Sequence, residues 1–102
     1  MTGPIFFNVR EARERLLSHG EVLTLRKRRG TGRTVAYTGS RFNRARLCSV
    51  VVDFAAPFTN DERGTLLLET NLGGSGFDTV EKWREAAAED ANVLYRVRRI
   101  GP

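Results

Sequence analysis

The apolar run at positions 47–56 is the feature that most constrains the fold of this 102-residue chain. It reads LCSVVVDFAA and ends at Pro57, which cannot donate a hydrogen bond to a strand ladder. A short run rich in apolar and β-branched residues is typical of a buried strand. We therefore predict a central strand over residues 47–56, and a chain of this length has room for one domain built around one core.

A second strand is predicted over residues 22–28, where apolar and polar residues alternate. Leu23 and Leu25 fall on one face of that strand, and Thr24 and Arg26 fall on the other. The alternation indicates a half-buried strand whose polar face lies at the start of a basic region.

Shorter segments complete the strand prediction. We predict a turn at residues 30–32, a short strand at 34–38, a basic loop at 41–46 and a closing strand at 93–100. Residues 65–70 favour one more strand, although their three leucines are also compatible with a helix.

Two helix-start signals lie towards the two ends of the chain. Asn8 is predicted as an N-cap, with Glu11 three residues later as a capping box requires, and Gly20 ends the helix. Asp78 repeats the signal with Glu81. We therefore predict one helix before the strands and a second helix before the closing strand.

The order of the predicted elements favours an α+β fold. It runs helix, three strands, a fourth element favoured as a strand, helix and strand. For about 100 residues, short strands with helices at the edges most economically form a small open β-barrel with two flanking helices. Residues 1–102 are predicted to form a single domain.

Positive charge is concentrated in one window of the sequence. The window holds eight basic residues and no acidic one, whereas the rest of the chain holds nine basic and twelve acidic residues. The eight are Arg26, Lys27, Arg28, Arg29, Arg33, Arg41, Arg44 and Arg46. Folding alone gives no reason to build such a patch, because like charges repel one another. RNA or another polyanion is the natural partner, since basic side chains displace the counterions of its phosphates.

The composition of the window supports the same partner. Arginine outnumbers lysine 15 to 2, and its planar fork grips phosphate and stacks on bases. Tyr37 and Phe42 are interleaved with the arginines and are candidates for stacking on unpaired bases, although Phe42 could instead pack over a barrel end. A solvated basic face, produced by a GC-rich genome or by growth at high temperature, is the competing interpretation.

Few residues carry other chemistry. The single cysteine, Cys48, is predicted to be a buried thiol, and the single histidine, His19, is expected to cap the first helix or to face solvent. Together they cannot form a usual zinc site, so we expect no metal and no cofactor. Asp53 is expected to pair with an arginine of the basic window. Residues 73–76 precede a helix start as a phosphate loop does, but they lack its lysine, so a flexible loop is favoured.

The chain shows no membrane or targeting segment. No apolar stretch approaches the roughly 20 residues of a membrane span, and the N-terminus lacks the apolar block of a signal peptide. We therefore expect a cytoplasmic protein that binds no membrane. The oligomeric state stays open.

Two strings of residues resemble the ASCH domain, a branch of the PUA-like superfold. In the first, LLSHGEVLTLR at residues 16–26, Gly20, Thr24 and Arg26 are similar to a family pattern: a helix ends in Gly and leads to a Thr or Glu, one residue and an Arg. The second, SGFDTVEKW at residues 75–83, resembles a helix start found late in these domains. The resemblance implies a PUA-like barrel over nearly the whole chain.

The resemblance also implies a candidate activity. Some ASCH proteins resemble amidohydrolases that act on acylated cytidines with a Lys, a Thr and a Glu in the cleft. Thr24 corresponds to that Thr, and Glu69 is the candidate for the Glu. The position of the family Lys holds Val22 here, and Lys27 falls on the opposite strand face from Thr24.

Three functions follow, in decreasing order of support. The leading hypothesis is an RNA-binding module that uses the basic window, Tyr37, Phe42 and a recognition cleft beside Thr24 and Arg26. The first alternative is a small amidohydrolase acting on an acylated cytidine nucleoside, with Thr24, Arg26 and Glu69 in the cleft. Because the family Lys is missing, we lean against an enzyme. The second alternative is an interaction module for an acidic protein partner.

Overall fold

The computed structural model describes residues 3–101, and these residues form an α+β fold of five strands and three helices. In chain order the elements are β1 (Ile5–Phe6), α1 (Arg10–His19), β2 (Glu21–Arg26), β3 (Gly32–Gly39), β4 (Arg44–Pro57), α2 (Glu62–Asn71), α3 (Val80–Ala86) and β5 (Val93–Arg99). A 3₁₀ turn at Leu72–Gly74 follows α2.

The sheet is built around the long strand β4. Its order is β1-β3-β4-β5-β2, so the prediction of a central strand over residues 47–56 is confirmed. β1 joins β3 in parallel, and the other neighbours are antiparallel. The register shifts between Ala36 and Tyr37 on β3, and between Phe54 and Ala56 on β4. Such bulges increase local twist, and the sheet curls into a half-barrel compatible with a small open barrel.

The core lies where each strand turns alternate residues inward. On β4 these are Cys48, Val50 and Val52, all buried, and Val97 of β5 pairs with Val52. Leu16 of α1 belongs to the same buried cluster. The prediction that Cys48 is a buried thiol is thereby confirmed, because the side chain occupies a core position of the central strand.

The N-cap of α1 is Val9, one residue later than predicted. The carboxamide of Asn8 binds the end of β3 instead. Its Oδ1 accepts a hydrogen bond from the Gly39 amide at 2.7 Å, and its Nδ2 donates to the Gly39 carbonyl at 2.9 Å. Asn8 therefore fastens the base of the turn between β3 and β4 to the start of α1. At its other end the helix stops at Gly20, as predicted, with a φ of 74°.

The N-cap of α3 is Thr79 and not Asp78. The Thr79 hydroxyl accepts a hydrogen bond from the Lys82 amide at 3.2 Å, whereas the Asp78 carboxylate forms an exposed ion pair with the Lys82 ammonium at 3.7 Å. Thr and Asp are both good caps, so the sequence alone does not choose between these neighbours.

The strand prediction over residues 65–70 is wrong, because these residues belong to α2. Asp61 caps this helix by accepting a hydrogen bond from the Gly64 amide at 3.1 Å. Leu68 is fully buried whereas Leu66 is 63% exposed, which is the pattern of a helix with one face on the protein. Residues 3–101 thus contain three helices where two were predicted, and none of the three is long and apolar enough to cross a membrane.

The other predicted segments are confirmed with shifted ends, but β2 is buried on both faces at residues 22–25, so the prediction that it is half-buried is wrong. β2 stops at Arg26, β3 extends the predicted strand at both ends, and β5 matches the closing strand. The predicted basic loop at residues 41–46 is shorter, because β4 already begins at Arg44.

The close packing of α2 on the preceding loop generates a test at Gly64. A Cβ at this position would collide with the Thr59 carbonyl oxygen and lie 2.8 Å from the Phe58 ring. We expect Gly64→Ala to lower the free energy of unfolding by about 2 kcal/mol, because relief requires moving the start of α2. Urea denaturation measures the loss. Gly73→Ala is the matched control, since its Cβ would meet nothing within 4 Å, and an equal loss in both variants would contradict the prediction.

Candidate nucleic-acid interface and the adjoining cavity

The strands at the two ends of the sheet, β1 and β2, approach each other across a gap that we call the seam. Arg26, the last residue of β2, bridges it. Its Nη2 donates to the Phe6 carbonyl oxygen of β1 at 2.7 Å, and its Nε donates to the Thr24 hydroxyl at 3.0 Å. Its guanidinium carbon lies 4.9 Å from the centre of the Phe7 ring. One side chain therefore joins the edge strands where the backbone ladder does not.

Arg26 is a half-buried charge without a carboxylate partner. Within residues 3–101 it forms no ion pair, and its Nη1 donates no hydrogen bond. Burial, and secondarily the charge of Arg29, lower the pKa of Arg26 to about 10. The group is therefore protonated at neutral pH and can only donate, so its remaining donor suits a carbonyl, carboxylate or phosphate oxygen.

A cavity of about 230 Å³ lies beside Arg26, between the seam and helices α1 and α3. Its wall is largely apolar and includes the rings of Phe6, Phe7, Phe77 and Trp83. The polar groups at the wall come from Asn8, Thr24 and Arg26. None of the described residues that line it is a lysine, histidine, aspartate or glutamate. The cavity can therefore hold a flat ligand and donate hydrogen bonds to it, but it has no side chain suited to act as a general base.

Arg29 clamps the segment that leads into β1. Its Nη2 donates to the Gly3 carbonyl at 2.6 Å, and its Nη1 donates to the Pro4 carbonyl at 3.4 Å. The Tyr95 hydroxyl accepts from the Arg29 amide at 2.7 Å and donates to the Arg29 carbonyl at 3.1 Å. Burial lowers the pKa of Arg29. Two members of the basic window, Arg26 and Arg29, thus use most of their hydrogen-bond donors in contacts within the fold.

Three further members lie near the start of β3. Lys27 forms an exposed ion pair with Asp90 at 3.6 Å, and Arg28 and Arg33 are exposed. Within the described residues Arg33 has no ion-pair partner. Eight residues of β3 separate this group from the remaining members, which corresponds to about 23 Å along an extended strand. The eight basic residues therefore form separate groups.

The remaining members surround the turn between β3 and β4, at residues 40–43. The Arg44 guanidinium lies 4.3 Å from the Tyr37 ring centre, and the Arg41 guanidinium lies 5.8 Å from the Phe42 ring centre. Phe42 is 94% exposed, so it does not pack over a barrel end. Arg46 is exposed and donates to the Ser49 hydroxyl at 2.6 Å. Aromatic rings and arginines alternate over this surface.

Phe6 connects the turn to the cavity. Its ring lies 5.9 Å from the Tyr37 ring, centre to centre, and it also lines the cavity. The surface that runs outward from the cavity is called the arginine–aromatic face, and it consists of Phe6, Tyr37, Arg41, Phe42, Arg44 and Arg46. Ring contacts join Phe6, Tyr37 and Arg44, and the Arg41–Phe42 pair lies at the adjoining turn.

Other candidate residues lie apart from this face. Glu69 is exposed on α2 and does not line the cavity. Asp53 pairs at 3.2 Å with Arg98 of β5, so the prediction of a partner from the basic window is wrong. His19 is exposed, as expected, and shares a hydrogen bond with Ser18. Among residues 3–101 no three potential metal ligands lie together.

Sequence reasoning missed Phe6 and Trp83 as residues of the candidate site. Trp83 is buried in the core, and it also lines the cavity. Phe6 pairs with Tyr37 through a two-residue strand that is too short to show a periodic pattern. The adjacent aromatics Phe6 and Phe7 directly before a helix are the signal that points to this position.

Comparison of the chain with protein-family models, with curated proteins and with solved structures gave no match in any of the three. Membership of the ASCH family therefore stays a prediction based on Gly20, Thr24, Arg26 and residues 75–83. The function has to be argued from the geometry of the site.

The bridge across the seam generates a test at Arg26. A lysine keeps the charge but cannot reach Thr24 and Phe6 with two separate donors in a fixed plane. We expect Arg26→Lys to lower the free energy of unfolding by about 2 kcal/mol, because a buried hydrogen bond is lost and a carbonyl is left without its donor. Thermal and urea denaturation both report this change.

Arg28→Lys is the matched control, because the Arg28 side chain is exposed and makes no hydrogen bond to any residue that the structure describes. We expect it to change stability by less than about 0.5 kcal/mol. Equal stability of the two variants would contradict a bridging role for Arg26.

Proposed function

We propose that the protein binds single-stranded RNA through the arginine–aromatic face and holds one base in the adjoining cavity. The observation that carries the proposal is the series of contacts from the cavity wall at Phe6 through Tyr37 to Arg44, beside the turn that carries Arg41 and Phe42. Arginines along this path are placed to contact phosphates, and the rings between them are placed to stack on bases. Alternating cationic and aromatic groups are how proteins grip unpaired strands.

The exposure of Phe42 favours an unpaired strand over a duplex. A ring that is 94% exposed at the tip of a hairpin contributes little to the core, and unpaired bases offer it faces to stack on. A duplex keeps its bases stacked on each other, so the same ring would meet only backbone. Phe42 is therefore assigned to base stacking and its neighbours Arg41 and Arg44 to the phosphates.

The cavity is assigned to recognition of one base. Aromatic walls suit a flat ring, and the unused Nη1 donor of Arg26 suits a base carbonyl or a phosphate oxygen. The Thr24 hydroxyl accepts a hydrogen bond from Arg26 and keeps its own proton to donate. The site thus selects ligands that present acceptors.

The proposal predicts salt-sensitive binding of single-stranded RNA. A fluorescently labelled oligonucleotide should bind in low salt, and binding should be lost by about 0.3 M salt because phosphate contacts release counterions. Arg41→Glu combined with Arg44→Glu should weaken binding at least tenfold, and Phe42→Ala should weaken it by about fivefold or more. Fluorescence anisotropy measures each affinity.

Arg63→Glu combined with Lys82→Glu is the matched control, because it makes the same change of net charge on α2 and α3. It should leave most of the affinity intact. Equal losses of RNA affinity in the two double variants would show that binding depends only on net charge. Equal binding of poly-glutamate and RNA would favour an acidic protein partner instead.

The amidohydrolase alternative has weaker support in the geometry. A hydroxyl needs an adjacent base to become a nucleophile, and the partner of the Thr24 hydroxyl is the donor Arg26. Glu69, the candidate carboxylate, is exposed on α2 away from the cavity wall. We therefore assign Thr24 to hydrogen bonding with a bound ligand.

The corresponding prediction is that the purified protein does not hydrolyse acylated cytidine. Release of free cytidine, followed by chromatography, is the measurement. Turnover that disappears in Thr24→Ala would overturn the assignment and establish the enzyme. Binding of the nucleoside without turnover is the expected result.

A further inference from the structure

Acidic residues outnumber basic ones in the segment between β4 and β5. Residues 58–92 hold eight acidic and three basic residues, whereas the hairpin tip at residues 40–43 is flanked by arginines. The two regions lie at opposite ends of β4, which runs from Arg44 at the hairpin to Pro57 before the acidic segment. Fully extended, these fourteen residues would span about 43 Å, which exceeds the 36 Å of the molecule's longest dimension, so the bulged strand is bent. The acidic segment and the hairpin tip are therefore attached to opposite ends of the central strand.

A groove of about 470 Å³ lies at the acidic end. Its floor is apolar, with Phe58, Ala88 and Ala91 among the residues that line it. Its rim carries the exposed carboxylates Glu85 and Glu89. An apolar floor inside an acidic rim fits a large apolar side chain that is flanked by cations.

Arg84 gives the groove a hydrogen-bond donor. Its Nη2 donates to the Thr65 hydroxyl at 2.8 Å, and its guanidinium lies 5.9 Å from the Phe58 ring centre. Its Nε is buried and has no hydrogen-bond partner among the described residues. A docking partner cannot reach that buried nitrogen, but Nη1 is not among the buried atoms and makes no hydrogen bond to any described residue, so it can donate to a backbone carbonyl that a partner brings.

The hairpin tip has the complementary chemistry. Phe42 is an exposed apolar ring, Arg41 and Arg44 flank it in sequence, and residues 40–43 carry turn carbonyls. A chain cannot insert its own tip into its own groove, because the two lie at opposite ends of the central strand. The contact therefore has to form between two copies.

We propose that the hairpin tip of one copy docks in the acidic groove of a second copy, head to tail. Phe42 enters between Ala88 and Ala91 over the Phe58 ring, while the flanking arginines pair with Glu85 and Glu89 of the second copy. A contact between two different surfaces does not close on itself unless its rotation makes a ring, so the assembly grows as an open chain. The inference goes beyond RNA binding, and because both partners use Phe42, RNA and the second copy compete for the tip.

The contact is small and charged, so we expect weak association that rises with protein concentration and falls with salt. Sedimentation velocity of nuclease-treated protein tests this. Phe42→Ala should weaken association at least tenfold, as should Glu85→Lys combined with Glu89→Lys. Single-stranded RNA added in excess should disperse the assemblies.

A mixing experiment separates this contact from any other. The Phe42→Ala protein keeps an intact groove, and the Glu85→Lys, Glu89→Lys protein keeps an intact tip. Each variant alone should stay monomeric, and the mixture should form a one-to-one dimer. This dimer should grow no further, because its free tip and its free groove both carry the substitutions. Glu69→Lys combined with Glu81→Lys is the matched control for charge and should assemble as the unmodified protein does.

Several outcomes would overturn the proposal. They are a monomer at every concentration in low salt, association that survives both variants, a mixture that gives no dimer, and assembly that requires added RNA. The last outcome would mean that RNA bridges the copies. Loss of RNA binding with intact self-association would reject only the RNA proposal, so the two can fail independently.

Discussion

The bridge that Arg26 makes across the seam is the interaction on which the site depends. A sheet of five strands that curls only partway leaves two unpaired edges, and here one guanidinium joins them through the Phe6 carbonyl. The same side chain bonds Thr24 and stacks on Phe7, so it fixes the wall of the cavity as well. We therefore assign two roles to the Arg26 guanidinium, which are joining the edge strands and contacting a ligand. Its Nε and Nη2 bond to the protein, and Nη1 is left for the ligand.

Placing a cation in that position has an electrostatic consequence. Desolvation penalises the charged form, as the lowered pKa of Arg26 shows, and within residues 3–101 no carboxylate offsets it. An anion or a carbonyl entering the cavity would relieve part of this penalty. The site is thus organised for an acceptor before any ligand arrives, and little side-chain rearrangement is needed.

Local signals predicted most of the framework. The composition of residues 47–56 identified the central strand, and strand alternation placed Thr24 and Arg26 on one face, where they are hydrogen-bonded. Residues 65–70 were misassigned because three consecutive leucines fit the periodicity of a strand as well as that of a helix. The contact that decides for a helix is the N-cap at Asp61. The role of Arg26 was beyond local reasoning, since its partner Phe6 lies twenty positions away across the seam. The separation of the eight basic residues into distinct groups likewise depends on the arrangement of the strands, which composition does not encode.

The hairpin described above also bears on how such a protein can change over time. Asn8 holds the base of the turn at Gly39, where a φ of 104° favours glycine, while Arg41 and Phe42 are exposed at the tip. Stability therefore depends on the base, and ligand preference is assigned to the tip. If the tip binds RNA as proposed, substitutions there would alter what is recognised with little effect on folding, and new specificities would be accessible by single mutations.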